Sequence, residues 1–163
     1  IIRALPLLPG NVIFVGVGKK GNETEGLGKL ADELGVAKRA YFLPWVSKDK
    51  VADYILAFDI LAIPSAGARI GNSPTKMFEY LVAGRPIVAA NTEAIAEVLA
   101  LGKNSILVDY KDSNSWAEAI LKILNDSSLS QELVEQAKKD AKLYTWEKRG
   151  YNIYSFIMAT IKK

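Results

Sequence analysis

Five short apolar runs, each separated from the next by a stretch of helical character, limit this chain to few folds. The runs are Asn11–Val15, Ala40–Leu43, Asp59–Ile63, Ile87–Ala90 and Ser105–Val108. None shows the alternation of a half-solvated strand, so they read as strands covered on both faces. Strands alternating with helices predict an α/β fold built on a doubly wound, parallel, Rossmann-like sheet. With 163 residues, half of them apolar, the chain is long enough for one domain with a full core.

The stretch Asn72–Ala89, NSPTKMFEYLVAGRPIVA, carries the densest local signals. Ser73 is a good N-cap, and Pro74 stands at the first helical position, where its missing N–H costs nothing. The helix is expected over Thr75–Ala83, with Gly84 as its stop. Free N–H groups at Ser73, Thr75 and Lys76, around Pro74, make the start of such a helix attractive to an anion. Lys76 adds a charge that the helix dipole disfavours unless an anion is expected there. Glu79, three residues on, shares its face and can accept two hydrogen bonds from a vicinal diol. Two readings fit: a cradle gripping a nucleotide diphosphate and its ribose, or a capped amphipathic helix with a Lys76–Glu79 surface pair.

Composition narrows the chemistry. Cysteine and histidine are both absent, which removes thiolates, imidazole bases and the commonest metal ligand. The net charge of +3 is too small, and too dispersed, to argue for nucleic acid. No apolar run approaches the length of a membrane span.

Gly16-Val17-Gly18-Lys19-Lys20-Gly21 follows the first strand and resembles a dinucleotide fingerprint. The next strand ends Leu43-Pro44-Trp45, without the acid that such a site needs on its ribose. Nicotinamide or flavin binding is therefore not expected. Trp45 reads either as the wall of a base slot or as a cover for the core edge. Arg69, in the loop after Pro64-Ser65, reads either as a phosphate ligand or as a solvated side chain.

The ordered set Pro64-Ser65, Pro74-Thr75-Lys76-Met77-Phe78-Glu79-Tyr80, Ala83-Gly84-Arg85-Pro86-Ile87-Val88-Ala89, Glu97-Val98-Leu99 and Gly102-Lys103-Asn104-Ser105-Ile106-Leu107-Val108 resembles the group 1 glycosyltransferases. These are the retaining, family 4 enzymes with two Rossmann-like domains, the GT-B arrangement. The resemblance covers nearly the whole chain, 1–163, as the C-terminal donor-binding domain. It implies a fragment, with a first strand and an N-terminal acceptor domain preceding Ile1. It implies a UDP- or GDP-sugar as substrate and no cofactor or metal. Gly16 and Gly18 would border the diphosphate, and the backbone at Val46 would meet the base. Ser73, Pro74, Thr75 and Lys76 would hold the phosphates, with Lys76 stabilising the leaving group, and Glu79 would hold the ribose.

The chain departs from the family where a first glutamate is usual: Gly71 stands eight residues before Glu79. Three readings stay open: a branch stabilising the sugar through Asn72, Ser73 or backbone, a different donor sugar, or a module that binds without catalysing. An epimerase or hydrolase on the same scaffold is a further alternative. The resemblance also implies a cytoplasmic protein, peripherally associated with a membrane face in its full length. Trp146 is expected to open a final apolar helix to about Lys162 that crosses to the other domain.

Overall fold

The computed structural model describes residues 1–18, 21–64, 75–100 and 102–161. Its five strands are β1 Phe14–Val17, β2 Ala40–Leu43, β3 Leu61–Ile63, β4 Ile87–Ala90 and β5 Ile106–Val108. Every pairing is parallel. The helices are α1 Asn22–Glu33, α2 Val51–Ala57, α3 Lys76–Val82, α4 Glu93–Ala96, α5 Ser113–Asn125, α6 Ser127–Ala141 and α7 Trp146–Ile161. Short 3-10 helices cover Ile2–Leu7, Ala37–Arg39 and Lys48–Lys50.

The strands form two ladders, β1–β2 and β3–β4–β5, where the sequence led us to expect one sheet. Among the described residues no strand hydrogen-bonds β1 to β3, so each ladder keeps an open edge there. β4, flanked on both sides, is fully buried along Ile87-Val88-Ala89-Ala90. Its core neighbours include Leu61, Ile63, Leu99, Trp116 and Leu133.

β1 begins later than its apolar run suggests. Pro9 and Val12 close a turn, Val12 N–H to Pro9 carbonyl at 3.0 Å. Arg39 fixes that turn by donating to the carbonyls of Val12 (2.9 Å), Leu8 (3.2 Å) and Pro9 (2.8 Å). The carbonyl of Val12 is thus bound to a side chain, and the ladder starts at Phe14. Ile2–Leu7 is 3-10 and contains Pro6, which cannot donate inside a helix. Ile2, Ala4 and Leu5 are buried, and this segment packs against α5 and α1.

α5 and α6 each start on an aspartate cap. Asp112 accepts from the N–H groups of Asn114 (2.9 Å) and Ser115 (3.3 Å), and Asp126 from that of Leu129 (2.9 Å). α6 then packs along α3 through a face that includes the buried Leu133 and Ala137.

Candidate functional site

The motif helix is placed by its apolar stripe. Met77 and Leu81, four residues apart, are fully buried, and Phe78 and Tyr80 are half-buried beside them. This fixes the helix rotation and leaves Thr75 and Glu79 exposed, with Lys76 half-buried. α3 follows β3, at whose carboxyl end ligands bind in open α/β sheets. Ser73 and Pro74, like Arg69, Gly71 and Asn72, lie outside the described residues. The helix starts at Lys76, one residue later than expected, and Thr75 stands at the cap position without a side-chain hydrogen bond.

Burial lowers the pKa of Lys76 from its ordinary value, since desolvation disfavours the ammonium. The ion pairs formed by the described residues are Lys50–Asp53 and Lys138–Glu135. The Lys76–Glu79 surface pair that the spacing allows is not among them. Lys76 is therefore a partly desolvated cation without a carboxylate within salt-bridge reach among the described residues. Glu79 makes itself felt at Tyr80, whose hydroxyl pKa is raised by burial first and by the Glu79 charge second.

Glu79 opens onto a cleft of about 630 Å³ between α3 and α7. Thr75, Phe78 and Glu79 line one wall, and Trp146, Arg149 and Asn152 the other. The walls are tied at Phe78 and Tyr144, whose ring centroids lie 5.3 Å apart. Our sequence reading assigned Trp146 only to a helix start and gave Arg149 no role. Both are surface residues on a helix with no buried side chain.

The other expected residues gather on the β1–β2 ladder. Gly16 lies inside β1, paired with Phe42, and not in the turn. A Cβ there would stand 3.2 Å from the Phe14 ring, so the glycine admits its neighbour's side chain. Gly18 is just beyond the strand, with open space around it, and its N–H donates to the Leu43 carbonyl at 3.2 Å. Val46, half-buried, follows the end of β2. Gly18 and Val46 therefore sit at the carboxyl ends of adjacent parallel strands. Trp45, 78 % exposed, covers little core.

The Gly102-Lys103-Asn104 stretch is structural. Gly102 adopts φ +69°, open to glycine without strain. Asn104 is buried; its Oδ1 accepts from Ala100 N–H at 2.8 Å and its Nδ2 donates to Val98 carbonyl and to Asp140 Oδ2.

Known proteins share this organisation. A D-inositol 3-phosphate glycosyltransferase of Mycobacterium marinum is 34 % identical over 152 residues, which are 90 % of this chain and 32 % of that protein. The lipopolysaccharide core biosynthesis glycosyltransferase LpsE of Rhizobium meliloti is 31 % identical over 136 residues, 83 % of this chain and 38 % of that protein. The chain spans about a third of the length of the curated relatives it matches. Among solved structures, Anabaena HepE in complex with UDP superposes with a TM-score of 0.87 at 21 % identity, covering 97 % of this chain and 44 % of that one. The C-terminal domain of a group 1 glycosyl transferase from Francisella tularensis superposes at 0.75 and 17 % identity, covering 86 % of this chain and 75 % of that one. These likenesses carry the fold, the Rossmann-like half of a GT-B enzyme. The model of the group 1 glycosyl transferases matches residues 1–140, and the chain belongs to that family.

Proposed function

We propose that this chain is the donor-binding domain of a retaining glycosyltransferase that uses a UDP- or GDP-sugar. The observation that carries the reading is Lys76, half-buried, unpaired with a carboxylate among the described residues and one turn from an exposed Glu79, on the helix that follows β3. A nucleotide diphosphate gives that ammonium the counter-charge it lacks. The relatives, a D-inositol 3-phosphate glycosyltransferase and a glycosyltransferase of lipopolysaccharide core biosynthesis, and the UDP bound by HepE, support the same chemistry.

In this reading Lys76 and the N–H groups around Thr75 stabilise the negative charge that grows on the diphosphate as its bond to the sugar C1 breaks. The acceptor oxygen forms the new bond on the face the diphosphate leaves, and its proton departs with the leaving group's phosphate. Glu79 accepts both ribose hydroxyls. Gly18 and Gly16 border the diphosphate, and backbone near Val46 meets the base. No cofactor is required. The acceptor is held by the N-terminal part of the full-length protein, which also covers the apolar surface of α7, so the chain alone transfers nothing. The whole protein works in the cytoplasm, at a membrane face; no helix among the described residues is long and apolar enough to cross one.

Calorimetric titration with UDP and GDP, and transfer assays on the full-length protein with and without Glu79→Ala, test this. Binding of one nucleotide and loss of affinity in the variant are expected. Unchanged affinity and transfer in Glu79→Ala would remove Glu79 from the site. Nucleotide binding without transfer by the full-length protein would favour a non-catalytic module, which Gly71 at the family's first glutamate position also suggests.

A further inference from the structure

We propose that α7 supplies the second wall of the ribose site, with Arg149 facing Glu79 across the cleft and sharing with it the vicinal diol. This rests on the donor-site reading above and adds residues to it.

Three observations converge. Glu79 and Arg149 line one cleft of about 630 Å³, from α3 and α7 respectively. Opposite charges facing one cleft attract, yet they form no ion pair among the described residues, which leaves room between them for hydroxyl groups. Arg149 is not loose: its guanidinium carbon stands 5.7 Å from the centroid of the Trp146 ring, a cation–π distance. Trp146 is 85 % exposed, an indole held at the mouth of a cleft with one face free of the protein core. An aromatic face packs well on the C–H side of a sugar ring, while a carboxylate and a guanidinium take its hydroxyls.

The cleft is also anchored. Phe78 and Tyr144 join its walls at 5.3 Å, and the Arg149 N–H closes the first turn of α7 on the Thr145 carbonyl at 3.0 Å. The position of Arg149 relative to α3 is therefore set by packing at the floor of the cleft. A guanidinium so placed donates to the oxygens of a diol whose hydrogens the Glu79 carboxylate accepts.

The test measures discrimination between UDP and 3′-deoxy-UDP, and between GDP and 3′-deoxy-GDP, by calorimetry on the full-length protein and its Glu79→Ala, Arg149→Ala, Arg149→Lys and Trp146→Ala variants. Thermal melting is followed in parallel. The expected result is a wild-type preference of about tenfold for the intact diol, the order of one hydrogen bond to a charged group. Arg149→Ala should cut that preference severalfold without shifting the melting temperature appreciably, and Arg149→Lys should restore part of it. Trp146→Ala should weaken it less. If Glu79→Ala abolishes the preference and Arg149→Ala leaves it intact, Arg149 does not take the diol and the donor-site reading stands. If Glu79→Ala leaves the preference intact, Glu79 is not the ribose ligand and both readings fall. Equal loss of affinity for both members of each pair in Arg149→Ala would also overturn the proposal, since it assigns that side chain to the diol.

Discussion

Asn104 donates to Asp140 Oδ2 at 2.8 Å, and this bond pins the entry of β5 to α6. The same buried side chain satisfies Ala100 N–H and Val98 carbonyl. A motif residue that a sequence would offer as a ligand is thus fully used inside the fold.

Replacing Asn104 by alanine leaves the Ala100 N–H without its partner in a buried setting. The expected loss is about 2 kcal/mol of stability, from stranded polar groups and a small cavity. Urea unfolding checks it. Nucleotide affinity measured well below the transition should stay within twofold of wild type, because Asn104 touches neither α3 nor the cleft. A large loss of affinity with unchanged stability would contradict this assignment.

Gly84 ends α3 with φ +69°, where a side chain strains the backbone. A Cβ there would stand 3.2 Å from Lys138 Cε. That contact is with the flexible end of a lysine and can yield; the backbone cannot. Gly84→Ala should cost roughly 1–2 kcal/mol, and the melting temperature of Gly84→Ala,Lys138→Ala should remain close to that of Gly84→Ala. Recovery to wild-type stability in the double variant would show that the clash, and not the left-handed backbone, is the cause.

Lys76 predicts a pH dependence. Burial lowers its folded-state pKa, so between that value and its ordinary one the unfolded chain holds more protons than the folded chain. Stability should rise with pH across this alkaline window, while the full cost of burying the charge is present below it. In Lys76→Met that contribution should vanish, and the variant should unfold at higher denaturant near neutral pH. Nucleotide affinity should move the other way, falling in the wild type as Lys76 loses its proton. Denaturant titrations at several alkaline pH values decide it; parallel curves for the two proteins would mean that Lys76 is solvated as an ordinary surface lysine.

What the sequence disclosed followed the strength of local signals. β2 and β4 lie where their apolar runs end in clear punctuation, Pro44 after Leu43 and Arg85-Pro86 before Ile87. The start of β1 was hidden because it depends on Arg39, twenty-seven residues from Val12, taking a carbonyl out of the ladder. The helix starts at Ser113 and Ser127 were readable in principle, from Asp112 and Asp126 as caps. Lys76 and Glu79 stood out by their spacing on one short helix. Trp146 and Arg149 did not, because only the turn at Tyr144 brings α7 over α3 and makes their surface part of a cleft. The division into two ladders was also out of reach, since strand order is a property of long-range pairing and not of any run of residues.

That division bears on how firmly a ligand is spanned. Gly18 and Val46 ride on one ladder, Lys76 and Glu79 behind the other, and no backbone rung crosses from β1 to β3 among the described residues. Rungs are stiff; side chains wedged between helices give way by fractions of an ångström. If the proposed donor site is right, the reach between its phosphate and base contacts would be tuned by whatever lies along those two edges, and its rigidity would belong to that neighbour as much as to Gly18, Val46, Lys76 and Glu79.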